Sequence, residues 1–121
     1  MSSRRVLVVD DDPAIRQIIA VLLQRDGVDV DIAEDGERAN AMLAKTEYAA
    51  VLLDLVMPRL DGHGVIEFMK ARGLTTPIVV ISAVTDEHAF ELDPQLVRVA
   101  MQKPIEPREL RTVVKAILEL V

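Results

Sequence analysis

Residues 6–16 read VLVVDDDPAIR, and three kinds of residue follow one another there almost without overlap. Val6 to Val9 form an unbroken run of branched apolar side chains. That is the pattern of a strand buried on both faces of a parallel sheet. Asp10, Asp11 and Asp12 then crowd three carboxylates behind it. Asp12-Pro13 reads as an N-cap followed by a first helical residue, because proline's fixed φ suits that position and its missing N–H has no partner to lose there. Behind it Ile15, Ile18, Ile19, Leu22 and Leu23 recur at helical spacing as one inward stripe, and Gly27 should end the helix. A buried strand that runs through acids into a helix is half of a βαβ unit.

The same alternation continues outward from this stretch. Val28, Val30 and Ile32 alternate with Asp29 and Asp31, which suits an edge strand whose charges discourage further pairing. A short helix follows with Ala39, Met42 and Leu43 inward, then the apolar run Ala50 to Leu53. Gly62 and Gly64 open a helix carrying Val65, Ile66 and Met69, which closes near Gly73. Pro77 leads into the apolar run Ile78 to Ile81. Residues 85–96 leave room for about two helical turns at most, because Pro94 cannot sit inside a helix. Val97, Val99 and Met101 alternate as a second edge strand. Pro107 starts a last helix with Leu110, Val113, Val114, Ile117, Leu118 and Val121 on one face. Five strands interleaved with five helices predict an α/β fold, a doubly wound parallel sheet with helices on both faces.

The 121 residues suit one compact domain, and no linker, repeat or low-complexity tract divides them. There is no cysteine, which excludes a disulfide scaffold, a Cys-ligated metal and thiol catalysis. Fourteen basic against 20 acidic residues leave a net charge of −6, and there is one Tyr, two Phe and no Trp. A chain so poor in cations and stacking rings is a poor nucleic-acid binder. No apolar run is long enough to cross a bilayer, and the start MSSRRVLVVDDD lacks a signal peptide's apolar stretch. The expectation is a soluble, cytoplasmic domain.

Ligands of open α/β sheets bind outside the carboxyl ends of the strands, at the switch point. The first strand ends in Asp10, Asp11 and Asp12, the third in Asp54, the fourth in Ser82, and the fifth runs to Lys103. Carboxylates gathered there repel one another until they take up a proton or a cation. With no His or Cys beside them, an all-oxygen site favours a hard ion, Mg²⁺ or Mn²⁺. A carboxylate beside a metal and a fixed lysine can also accept a phosphoryl group.

At these residues the sequence resembles a known family. VLVVDDDPAIR at 6–16, LLDLVMPRLDG at 52–62, VVISA at 79–83 and KP at 103–104 are similar, in order and spacing, to the receiver domain of two-component response regulators. The resemblance implies one receiver domain over residues 1–121 and the flavodoxin-like strand order 2-1-3-4-5. It implies that Asp54 accepts a phosphoryl group from the phosphohistidine of a sensor histidine kinase or a histidine phosphotransfer protein. Asp10 and Asp11 match the acidic pair for the metal, with Asp54 and the backbone carbonyl of Val56 as its other protein ligands. Ser82 matches the hydroxyl that bonds the phosphoryl oxygen, and Lys103 the lysine that pairs with it. A cis Lys103–Pro104 peptide bond is implied too. The domain would be a switch with weak self-catalysed phosphoryl transfer and hydrolysis, acting on a partner protein or an output domain. Direct contact with nucleic acid or membrane is not expected. The chain departs from the pattern in Ala100, where an aromatic residue is usual, in Leu96-Val97 for a Gly-Ala turn, and in Pro94.

The same residues admit other readings. Asp12 and Asp61 are helix caps, His63 and His88 surface residues without metal spacing, and Met42, Met57, Met69 and Met101 packing groups. An Asp-phosphate hydrolase would want a general acid where Val56 stands. A flavin carrier would want hydroxyls and rings where this chain has acids. A pseudo-receiver that binds partners constitutively would usually have lost an acid or the lysine, and none is lost.

Overall fold

The computed structural model describes residues 4–57, 59–83 and 93–119. Its strands are β1 (Arg5–Val9), β2 (Asp29–Ala33), β3 (Ala50–Leu53), β4 (Ile78–Ser82) and β5 (Val97–Gln102). The helices among the described residues are α1 (Pro13–Arg25), α2 (Gly36–Lys45), α3 (Gly62–Ala71) and α4 (Pro107–Leu118). All strand pairs are parallel, in the order β2-β1-β3-β4-β5. Strand order and helices on both faces are as expected. The helix expected between Thr85 and Pro94 lies outside the described residues apart from its end. There Pro94 stands in a turn, with the Asp93 carboxylate accepting from the Gln95 (2.9 Å) and Leu96 (3.2 Å) amides.

The unbroken apolar strands feed two cores at once. Leu7, Val9, Val51, Leu53, Ile78 and Val80 point to one face, where α2 and α3 cover them with Ala39, Leu43, Val65, Ile66 and Met69. Val6, Val8, Ala50, Leu52, Val79 and Ile81 point to the other, beneath Ile19 and Leu23 of α1 and Leu110 and Val114 of α4. Each fully buried Leu or Ile contributes roughly 1.5–3 kcal/mol relative to an exposed one. The helix boundaries follow the capping residues. Asp12, Asp35 and Asp61 accept from the first-turn amides of α1, α2 and α3, and Gly27 and Gly73 take φ of 79° and 68° just beyond α1 and α3.

Two expectations are corrected. In α1 only Ile19 and Leu23 are buried, and Ile18 is 52% exposed. The helix is apolar over more than half its circumference, so its period does not select which sector meets the sheet. In β5, Val97, Val99 and Met101 do not share one face. A register shift between Ile78 and Val79 sets Val97 opposite Ile78 and Val99 opposite Val79. Val97 therefore joins the α2–α3 core, while Val99 and Met101 join the α1–α4 core.

Candidate functional site

The ladders run one residue past the strands, and that extra residue carries the chemistry. The Asp10 amide donates to the Ala33 carbonyl (3.2 Å), the Asp54 amide to Val9 (2.9 Å) and the Lys103 amide to Ser82 (2.8 Å). Backbone pairing therefore fixes Asp10, Asp54 and Lys103 on one rim before any side chain is considered. Asp10 and Asp54 flank the point where the chain turns from β1 to β2 on one side and to β3 on the other.

One carboxylate oxygen from each of Asp10, Asp11 and Asp54 lies within 4.8 Å of the others. Asp10 and Asp54 are buried and Asp11 is exposed. Lys103 reaches in from β5, past the end of β4, and places Nζ 2.8 Å from Asp10 Oδ2 and 3.2 Å from Asp54 Oδ2. Its side chain is only 15% exposed. The remaining oxygens are also engaged: Asp10 Oδ1 accepts from the Asp12 amide (2.9 Å) and Asp54 Oδ1 from the Val56 amide (3.1 Å).

Burial pushes the Asp54 carboxyl above its ordinary value, and the Val56 amide and the Lys103 charge only partly oppose it. Burial works against the Lys103 charge, but the hydrogen bond to Asp10 and the charges of Asp10 and Asp54 together outweigh it and hold the ammonium up. Oxygen donors on three carboxylates, two of them buried and already gathered round a positive charge, fit a hard divalent cation.

The structure thus brings Asp10, Asp11, Asp54 and Lys103 together. Val56 is their neighbour in the loop after β3 and is 66% exposed. Ser82 is buried at the same rim, paired with Gln102 and holding the Lys103 amide through its carbonyl. The Lys103–Pro104 bond is cis, as expected. Met57, Met69 and Met101 are buried, and His63 is half-buried rather than fully at the surface. His88 lies outside the described residues. The sequence motif by itself assigns no role to Arg16, whose guanidinium donates to the Asp10 backbone carbonyl (2.7 Å). It is the last residue of VLVVDDDPAIR, one helical turn past the cap, and that spacing was its available signal.

A parallel sheet in the order 2-1-3-4-5, with acids and a lysine gathered at its switch point, defines a receiver-type doubly wound domain. The chain belongs to the response regulator receiver domain family, whose model matches residues 6–115. It is therefore a receiver domain of a two-component response regulator. Among its relatives, the alkaline phosphatase synthesis transcriptional regulatory protein PhoP of Bacillus subtilis is 35% identical over 117 residues, 96% of this chain and 49% of its own. The Francisella response regulator 1452 receiver domain superposes with a TM-score of 0.86 at 28% identity, covering 95% of this chain and 96% of its own. The response regulator TrrA of Thermotoga maritima, solved in complex with Mg²⁺–BeF, gives 0.83 at 31% identity, covering 94% and 98%. The chain spans about half the length of the curated relatives it matches. No helix among the described residues is long and apolar enough to cross a membrane.

Proposed function

We propose that Asp54 is the phosphoacceptor of a switch, taking a phosphoryl group from a histidine kinase or histidine phosphotransfer protein. The observation that carries this reading is the convergence of Asp10, Asp11 and Asp54 oxygens within 4.8 Å of one another, with the Lys103 ammonium bonded to Asp10 and Asp54. In the transfer, an Asp54 carboxylate oxygen bonds to phosphorus, the phosphorus–nitrogen bond to the donor imidazole breaks, and that nitrogen keeps the electron pair. Asp10, Asp11, Asp54 and the Val56 backbone carbonyl would hold Mg²⁺ or Mn²⁺. The ion, when bound, supplies positive charge for the oxygens of the transferring group. Lys103 trades its Asp54 partner for one of those oxygens, and the Ser82 hydroxyl bonds another. The Val56 amide keeps Asp54 Oδ1 fixed so that the other oxygen is the one that attacks.

On this reading residues 1–121 make one receiver domain, cytoplasmic, acting on a downstream protein or an attached output domain without touching nucleic acid itself. Hydrolysis of its own phosphoaspartate is a slow side activity. All three acids and the lysine are present and assembled, which favours a phosphorylated switch over a constitutive pseudo-receiver. Intact-mass spectrometry after incubation with a small acyl phosphate and Mg²⁺ tests it. One phosphoryl group should add to the wild type and none to Asp54→Asn. Phosphorylation that survives in the mutant, or in excess chelator, would falsify the assignment.

A further inference from the structure

Leu60 is where the loop that follows Asp54 meets the rest of the molecule. The base of the loop is closed by the Gly62 amide, which donates to the Leu55 carbonyl (3.1 Å). Its far end is held by α2. The amide of Gly36, first residue of that helix, donates to the Leu60 carbonyl (3.0 Å), and the Arg59 guanidinium lies 3.7 Å from Asp35, the N-cap of α2. Arg59 takes a left-handed φ of 65° in making this approach. Two glycines leave the space it needs. A Cβ on Gly36 would run into the Leu60 carbonyl oxygen and lie 2.9 Å from its Cβ, and a Cβ on Gly64 would lie 2.5 Å from Leu60 Cγ. Helices α2 and α3 already share an apolar core through Ala39, Leu43, Val65, Ile66 and Met69. The Leu60 contact is not needed to join them; what it fixes is the loop.

We propose that the first turn of α2 is a positioning element for the metal and phosphoryl site, with Gly36 its positioning residue. It acts through Leu60 on the backbone of Asp54 to Val56, and so the inference rests on Asp54 and Val56 holding the ion. Mg²⁺ demands near-ideal octahedral geometry, so a loop displaced by even part of an ångström binds it less well. A methyl group at position 36 meets backbone and forces such a displacement. One at position 64 meets the same leucine at Cγ, short of its backbone, and forces a smaller displacement.

Mn²⁺ binding to the full chain, followed by the loss of the free-ion electron resonance signal well below the melting temperature, tests this. Gly36→Ala should weaken binding by roughly tenfold or more, the usual scale for losing an outer support of a metal site. It should also move the Val56 amide resonance in metal-free protein. Gly64→Ala should weaken binding less, and adding Leu60→Ala to it should restore the affinity. Wild-type affinity in Gly36→Ala overturns the inference alone, whereas a wild type that binds no Mn²⁺ overturns the metal reading beneath it. If Gly36→Ala does not fold, the position-64 pair decides. Loss followed by restoration supports the positioning role, and no loss, or loss without restoration, overturns it.

Discussion

Lys103 lies at the centre of the rim, and its two partners set what its removal does. Lys103→Ala leaves Asp10 and Asp54 facing each other in a buried place with no counter-charge. Breaking such a group by deleting one partner costs about 3 kcal/mol, so urea unfolding in chelator should shift to lower concentration. Mg²⁺ affinity should move the other way, rising about tenfold in a calorimetric titration. That is well below the roughly 4 kcal/mol of one unit-charge pair 4 Å apart near a protein surface, because a lysine can turn aside for an ion. Weaker Mg²⁺ binding in the variant would show that the ammonium helps the ion rather than competing with it. Val56 supports a separate expectation. It stands exposed two residues after Asp54 and offers nothing that can hold a water. Val56→Asn should therefore shorten the lifetime of the phosphoaspartate severalfold, measured as mass loss over time after the phosphodonor is removed; an unchanged or slower decay would contradict this. The identities of these residues were readable in the sequence because strand ends announce themselves. The pairing of Lys103 with both acids was not, since it depends on how far a four-carbon side chain reaches across β4.

At the scale of elements, one ion cluster ties α1 to α4. Asp26, at the end of α1, accepts two hydrogen bonds from Arg111 (2.9 and 2.8 Å) and lies 3.5 Å from Lys115, with its side chain only 7% exposed. The Arg111 hydrogen bonds hold the Asp26 carboxyl below its ordinary 3.8. A lowered carboxyl stabilises the fold above its unfolded pKa and loses that contribution as pH falls through the folded one. Asp26→Asn should thus melt earlier than wild type at pH 7, with the gap closing as pH drops below 3.8. A gap that persists unchanged at pH 2 would assign the effect to packing. The strands were legible because burial on both faces leaves no polar residue in the run. The helix limits were legible from Asp12, Asp61, Gly27 and Gly73. The facing of α1 and the split of Val97 from Val99 were not, because one follows from three-dimensional docking and the other from a register shift that leaves the composition untouched. The Gly36–Leu60 contact joins residues far apart in sequence, so no local spacing could signal it.

For the molecule as a whole, anything that binds the folded chain alone raises its stability by mass action. Mg²⁺ at 100 times its dissociation constant should add about 2.7 kcal/mol to unfolding in urea, and Asp11→Ala should lose most of that gain while melting normally in chelator. Segment 83–97, acidic and broken at Pro94, is the stretch expected to respond to phosphorylation, and its residues 84–92 lie outside those described. In β5 the position where an aromatic residue is usual holds Ala100, exposed and with no ring to move. Just past β5, the Lys103 ammonium already holds two anions. A phosphoryl group arriving on Asp54 gives it a substitute for a partner rather than a first one. Substituting one charge-assisted bond for another leaves two arrangements nearly level in free energy, whereas making a bond from nothing would separate them widely. The balance exists only once the phosphoryl group is there: it lets Lys103 pass between two acceptors, whereas in the unmodified chain leaving Asp54 forfeits a bond with none in return. Exchange broadening at the Ser82 and Lys103 amides should therefore grow on phosphorylation, and broadening of equal size without any phosphodonor would contradict this.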